Sequence, residues 1–154
     1  MKNFMFGFAL VILSLSTKAA TDSSFLQKTE AAAASEHKFI LLNFSGSDWC
    51  IPCIKMKKAV FATDTFSHYA AEHLVWINAD FPRDRKNLSK QQIKQNEELA
   101  DKYNKKGAFP FTILLDEKGN IVKTWDGFPN LTAEEFIKQV DAVLNDKGKP
   151  NKAL

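Results

Sequence analysis

The chain of 154 residues contains two cysteines, Cys50 and Cys53, set three positions apart in the run Trp49-Cys50-Ile51-Pro52-Cys53. At the start of a helix, residues i and i+3 share a face, which brings such a pair within the alpha-carbon separation of about 4.4–6.8 Å that a disulfide accepts. The bond can then form and break without rearranging the backbone. Pro52 suits a first helical turn, because its fixed φ is already helical and the N–H it lacks has no intrahelical partner there. Cys50 falls at the positive end of the helix dipole, where unpaired backbone N–H groups favour a thiolate. Lowering a thiol pKa from about 8.5 to about 7 raises the thiolate fraction at neutral pH from a few per cent to about half. This spacing supports thiol–disulfide exchange, with Cys50 as nucleophile and Cys53 as the resolving thiol.

Other readings of the pair fit less well. Covalent haem attachment needs a histidine directly after the second cysteine, where Ile54 stands. Structural zinc needs two more ligands, and His37, His68 and His73 lack the short paired spacing of zinc motifs. A purely structural disulfide closing so small a loop removes little unfolded-state entropy and stabilises poorly.

The elements around the pair give it a position. Phe39 to Phe44 form an almost continuous apolar run, the pattern of a strand buried on both faces, and Ser45 to Asp48 turn the chain into the cysteine helix. The pair therefore sits at the carboxyl end of a buried strand, where open α/β sheets place their chemistry. Beyond the cysteines, Ile54, Met56, Val60 and Phe61 suggest a helical face against a core. A helix is expected over Phe25 to Glu36, capped by Ser24 with Gln27, and a short one around Phe66 to Ala71. Leu74 to Asn78 read as a second buried strand ending at Asp80, parallel to the first. Arg83 to Lys86 form a charged loop, read as solvated because its charges are mixed and no aromatic residues interleave them. Ser89 and Gln92 cap a further helix that ends near Asn104 and Gly107. Phe111 to Leu115 and Ile121 to Trp125 make a hairpin, and Thr132 with Glu135 opens a last helix striped by Phe136, Ile137, Val140, Val143 and Leu144.

In this order of elements, the chain resembles the thioredoxin-like family, in particular exported bacterial thioredoxin-fold thiol:disulfide oxidoreductases. The resemblance runs from about residue 38 to 145 and rests on the buried strand, Trp49-Cys50-x-Pro52-Cys53 and the Phe109-Pro110 step before a strand. It implies an α/β thioredoxin fold, a central mixed sheet flanked by helices, with Cys50 and Cys53 as the catalytic, redox-active disulfide. It also implies a cis proline at Pro110 beside the dithiol, and pairing of the Phe109 backbone with an extended substrate segment. Trp49 is read either as a wall of the substrate groove or as a core residue, and Gly127 as a turn glycine or a point of close peptide approach. Thioredoxins carry a buried aspartate on the first central strand and a lysine on its neighbour; here those places fall on Asn43 and Trp76. Neither can act as a charged acid or base, so resolution by Cys53 is expected to rely on water or substrate groups.

The resemblance implies protein disulfides as substrates and no cofactor. Dithiols of this type span about −270 to about −120 mV. The proline of Ile51-Pro52, which strongly reducing members share, favours a reductase. A disulfide oxidase or isomerase on the same fold, and a non-catalytic peptide- or metal-binding module, are the alternatives.

Residues 1–19 have the character of a signal peptide: Lys2, an uncharged run from Phe4 to Leu15 too short to span a bilayer, and small residues before a cleavage point after Ala19. Their removal takes away Lys2 and Lys18 and no acid, leaving 19 basic and 18 acidic residues, a net charge of +1 that gives no nucleic-acid signal. Thirteen phenylalanines, three tryptophans and a 45% hydrophobic composition suffice for one core, in a domain over residues 22–146 with a disordered polar tail at 147–154. The expected product is a monomer, periplasmic or secreted. An exported reductase needs electrons, because an oxidising compartment otherwise leaves the pair as a disulfide. Its implied donor is a membrane thiol-transfer protein.

Overall fold

Ser24 caps the first helix as its spacing from Gln27 requires: its Oγ accepts the Gln27 N–H at 3.3 Å, and the Gln27 side chain accepts the Ser24 N–H at 3.2 Å. The computed structural model describes residues 24–147. It places α1 at Phe25–Glu36, β1 at Phe39–Ser45, α2 at Ile51–Met56, α3 at Asp64–His73 and β2 at Leu74–Asp80. Then come α4 at Lys90–Tyr103, β3 at Phe111–Leu115, β4 at Ile121–Asp126 and α5 at Ala133–Lys147. The expected signal peptide and the tail after Lys147 lie outside the described residues; Lys147 itself closes α5.

The sheet has the order β2-β1-β3-β4, with β1 and β2 parallel and the other two pairings antiparallel. Strand β1 is central, and its alternating side chains serve two layers. Ile40, Leu42 and Phe44 pack with Ala33 of α1 and Leu99 of α4. On the opposite face, Leu41 packs with Met56 of α2, Phe66 of α3 and Phe136 of α5. All of these are almost wholly excluded from water. Burying each of the larger ones contributes about 1.5–3 kcal/mol. This two-sided burial fixes β1, and with it the turn that follows.

Three expectations are corrected. Strand β2 is not buried on both faces: it lies at the sheet edge, where Val75, Trp76 and Ile77 are half-buried and Asn78 is exposed. An apolar run reports burial without saying how much of it an edge position removes. The helix around Phe66 is longer than expected, Asp64–His73, because Thr63 accepts the Phe66 N–H and caps it. Finally, Ile54 is 45% exposed and does not join the core. After α2 the chain widens into a π-helical turn, Lys57–Phe61, so the buried face runs through Cys53, Met56 and Val60 instead.

Candidate redox site

The site begins where β1 ends. The Gly46 carbonyl accepts the N–H groups of Trp49 at 3.3 Å and Cys50 at 2.9 Å, a tight turn that delivers Cys50 to the N-cap of α2. Cys50 and Cys53 are joined in a disulfide with alpha carbons 5.2 Å apart. The Cys53 N–H points at Cys50 Sγ, 3.3 Å away. A backbone donor in that place stabilises a thiolate once the bond opens. The two cysteines are 4% exposed, while their neighbour Ile51 is 65% exposed and, with Ile54, gives the site an apolar rim.

Trp49 is half-buried and joins three loops. Its Nε1 donates to the Phe81 carbonyl at 2.8 Å, and its ring meets Phe109 edge-on at 5.4 Å. Phe109 in turn packs against Phe81 at 5.6 Å, and the Phe109–Pro110 peptide bond is cis. The Pro110 carbonyl accepts the N–H of Gly127 at 2.9 Å; Gly127 has a φ of 81°, a turn conformation suited to glycine. Ring contacts thus connect Trp49 and Phe109, and through the cis bond Pro110, to the cysteine turn.

Asp48, which sequence reasoning passed over, ties the charged loop to the same turn. Its carboxylate accepts the N–H groups of Arg83 at 2.9 Å and Asp84 at 3.0 Å. These bonds, Asp84's first and then Arg83's, hold its pKa below the ordinary carboxylate value. Arg83 lies over the Trp49 ring, 5.9 Å from its centroid. The rest of the loop is solvated, with Arg85 paired to Glu97 at 3.3 Å and Lys86 to Asp84 at 3.6 Å.

Beneath the disulfide, polar side chains cross the sheet. Thr112 donates its hydroxyl to Asn43 Oδ1 at 2.8 Å, and Asn43 Nδ2 donates to Asn78 Oδ1 at 2.7 Å. Ser45 Oγ lies 3.1 Å from both Asn78 Oδ1 and Asp80 Oδ1. The Ser47 N–H donates to Asp80 Oδ1 at 2.9 Å, and the Ser47 hydroxyl donates to Asp80 Oδ2. A cavity of about 340 Å³ opens onto this row, lined by Cys53, Ile54 and Lys57 on the helix side and by Asn43, Trp76 and Asp80 on the sheet side. Asn43 and Trp76 do occupy the wall next to Cys53, and neither carries a charge. Asp80 does. Its place was legible in principle, because Trp76, Asn78 and Asp80 share one face of a strand by their spacing of two.

The three histidines stand apart from the cysteines in the chain: His37 ends α1, and His68 and His73 lie on α3. Among the described residues, no group of three or more His, Cys, Asp or Glu side chains is placed to hold a metal ion.

A mixed four-stranded sheet between two helical layers, with a disulfide opening the helix after its central strand and a cis proline entering β3, defines a thioredoxin-type fold bearing a dithiol–disulfide pair. Residues 26–144 match the thioredoxin-like domain model, and the chain belongs to this family. Among its relatives, the disulfide bond reductase DsbH of Chlamydia pneumoniae is 38% identical over 109 residues, 71% of this chain and 64% of that protein, so slightly less than two thirds of the relative is spanned. A solved DsbH oxidoreductase superposes with a TM-score of 0.69 at 30% identity, covering 80% of this chain and 83% of that one. The disulphide isomerase from Xylella fastidiosa Temecula1 shares the fold, with a TM-score of 0.55 at 19% identity over 87% of this chain and 98% of that one.

Proposed function

We propose that this protein is an exported thiol:disulfide oxidoreductase that reduces protein disulfides by exchange at Cys50 and Cys53. The observation that carries this reading is the disulfide itself, at the N-terminus of α2 with the Cys53 N–H aimed at Cys50 Sγ. The Cys50 thiolate attacks a substrate disulfide, forming a mixed disulfide and releasing one substrate thiolate. Cys53 then displaces the second substrate sulfur, and the pair closes. The dithiol loses two electrons and the substrate disulfide gains them, so no cofactor enters. Ile51, Trp49 and the Phe109 backbone beside cis Pro110 supply an apolar rim and an extended edge for the substrate segment.

The reducing direction is supported by Pro52 between the cysteines and by kinship with DsbH, a disulfide bond reductase. In an oxidising compartment reached through residues 1–19, the pair draws electrons from a membrane thiol-transfer protein. Among the described residues no helix is long and apolar enough to cross a membrane. The protein acts as a monomer. Equilibration of the mature protein with thiol buffers tests the direction: a reduction potential near −270 mV is expected, and one near −120 mV makes the protein an oxidase. Cys50→Ser abolishes turnover in an insulin-reduction assay, and retained turnover refutes the assignment of the nucleophile.

A further inference from the structure

Resolution of the mixed disulfide requires Cys53 to give up a proton before its sulfur can attack. Asn43 and Trp76 cannot accept it. The cavity beside Cys53 nevertheless has a carboxylate in its wall, Asp80. That carboxylate is fixed by the turn preceding Cys50: Oδ1 accepts the Ser47 N–H at 2.9 Å and lies 3.1 Å from Ser45 Oγ, and Oδ2 accepts the Ser47 hydroxyl. A carboxylate offers about four lone-pair sites, so these three contacts leave one for the cavity. The cavity, about 340 Å³, is far larger than the roughly 30 Å³ share of one water, and its wall supplies the polar partners that water needs.

We propose that Asp80 is the proton acceptor for Cys53, reached through water in this cavity, in place of a buried acid on the central strand. The inference rests on the exchange mechanism above and names the general base for its second step. The Cys53 thiol passes its proton through water to Asp80. Its sulfur bonds to Cys50 Sγ, the bond between Cys50 and the substrate sulfur breaks, and the substrate thiolate leaves to take a proton from solvent. When an electron donor reopens the disulfide, the proton returns by the same route. The other charged group in the cavity wall is Lys57, an ammonium with no acceptor, which favours the Cys53 thiolate. On the far side of Asp80 stand Arg85 and Glu97, paired with each other at 3.3 Å.

The test uses the reduced mature protein and an aromatic disulfide that releases a coloured thiol twice, once when Cys50 attacks and once when Cys53 resolves. Stopped-flow records both phases from pH 5 to pH 9. In Asp80→Asn, which keeps an acceptor for the Ser47 N–H, the second phase is expected to slow at least about tenfold near pH 6–7, as loss of a general base does, and to converge with the parent near pH 9, where the thiol ionises unaided. The first phase stays within about twofold. Adding Asn43→Asp, which restores a carboxylate to the same cavity, recovers the second phase. Superimposable second-phase profiles overturn the proposal, as does an equal slowing of both phases at every pH, which marks Asp80 as a brace for the turn. Because both phases are read whatever the reduction potential, the result does not depend on whether the protein is a reductase or an oxidase.

Discussion

Gly46 lacks a side chain because the Trp49 indole fills the space where one would go: a Cβ built there overlaps the ring. Gly46→Ala therefore displaces Trp49, and overpacking of this kind destabilises by about 1–3 kcal/mol, readable as a lower urea midpoint. Asp48 gives a second prediction at this scale. Its lowered pKa means that the contribution of its bonds to Arg83 and Asp84 is complete above the unfolded carboxylate value, about 3.9, and is lost as pH falls through the folded value. The protection factors of the Arg83 and Asp84 amides, exchange being referred to the intrinsic rate at each pH, should thus fall on acidification in the parent, and be low already at pH 7 in Asp48→Ala. Cys50 and Cys53 were legible from spacing alone, because three positions along a helix is a geometric statement. The bonds of Asp48 and Asp80 were not, because their partners lie more than thirty residues away and only the folded chain brings them together, although strand spacing alone already put Asp80 on the face of Trp76.

Helices α3 and α5 meet through two polar contacts set among apolar ones: the exposed Thr65 hydroxyl donates to Glu134 at 3.4 Å, and the half-buried Tyr69 donates its hydroxyl to Asp141 at 2.6 Å. Burial first, and the bond to Asp141 second, push the Tyr69 phenol well above its ordinary value near 10. The folded chain keeps this proton after the unfolded chain has released it. Stability from this group is therefore complete below about pH 10 and is lost as pH rises toward the folded value. Tyr69→Phe should flatten the fall in urea midpoint between pH 9 and pH 11 that the parent shows. At the level of elements, the sequence reading succeeded where pattern and caps agreed. Ser24 with Gln27, Ser89 with Gln92 and Thr132 with Glu135 all bond as their spacing requires. It missed the π-helical turn at Lys57–Phe61, since one extra residue in a turn shifts which positions face inward without changing the composition of the run. It also read β2 as a buried strand, because nothing in Leu74 to Asn78 records how many neighbours a strand has.

For the molecule as a whole, the redox state and the fold are linked. A fold that lowers the potential of its dithiol holds the disulfide form more tightly, whereas strong oxidants of this type hold the reduced form. The proposed reducing direction predicts that the protein unfolds at higher urea concentration when Cys50 and Cys53 are joined than when they are reduced, and the opposite order refutes it. The polar row beneath the disulfide has a structural consequence as well. Parallel pairing sets Asn43 opposite Asn78 and Ser45 opposite Asp80. Slipping β2 by one position would turn Asn78 and Asp80 onto the face where Phe44 and Leu99 pack, and each polar group stranded there costs about 1–3 kcal/mol. The same four side chains act as a key that admits a single alignment of two otherwise apolar strands, so replacing them with greasy residues to simplify the cavity would leave the chain free to zip up out of step.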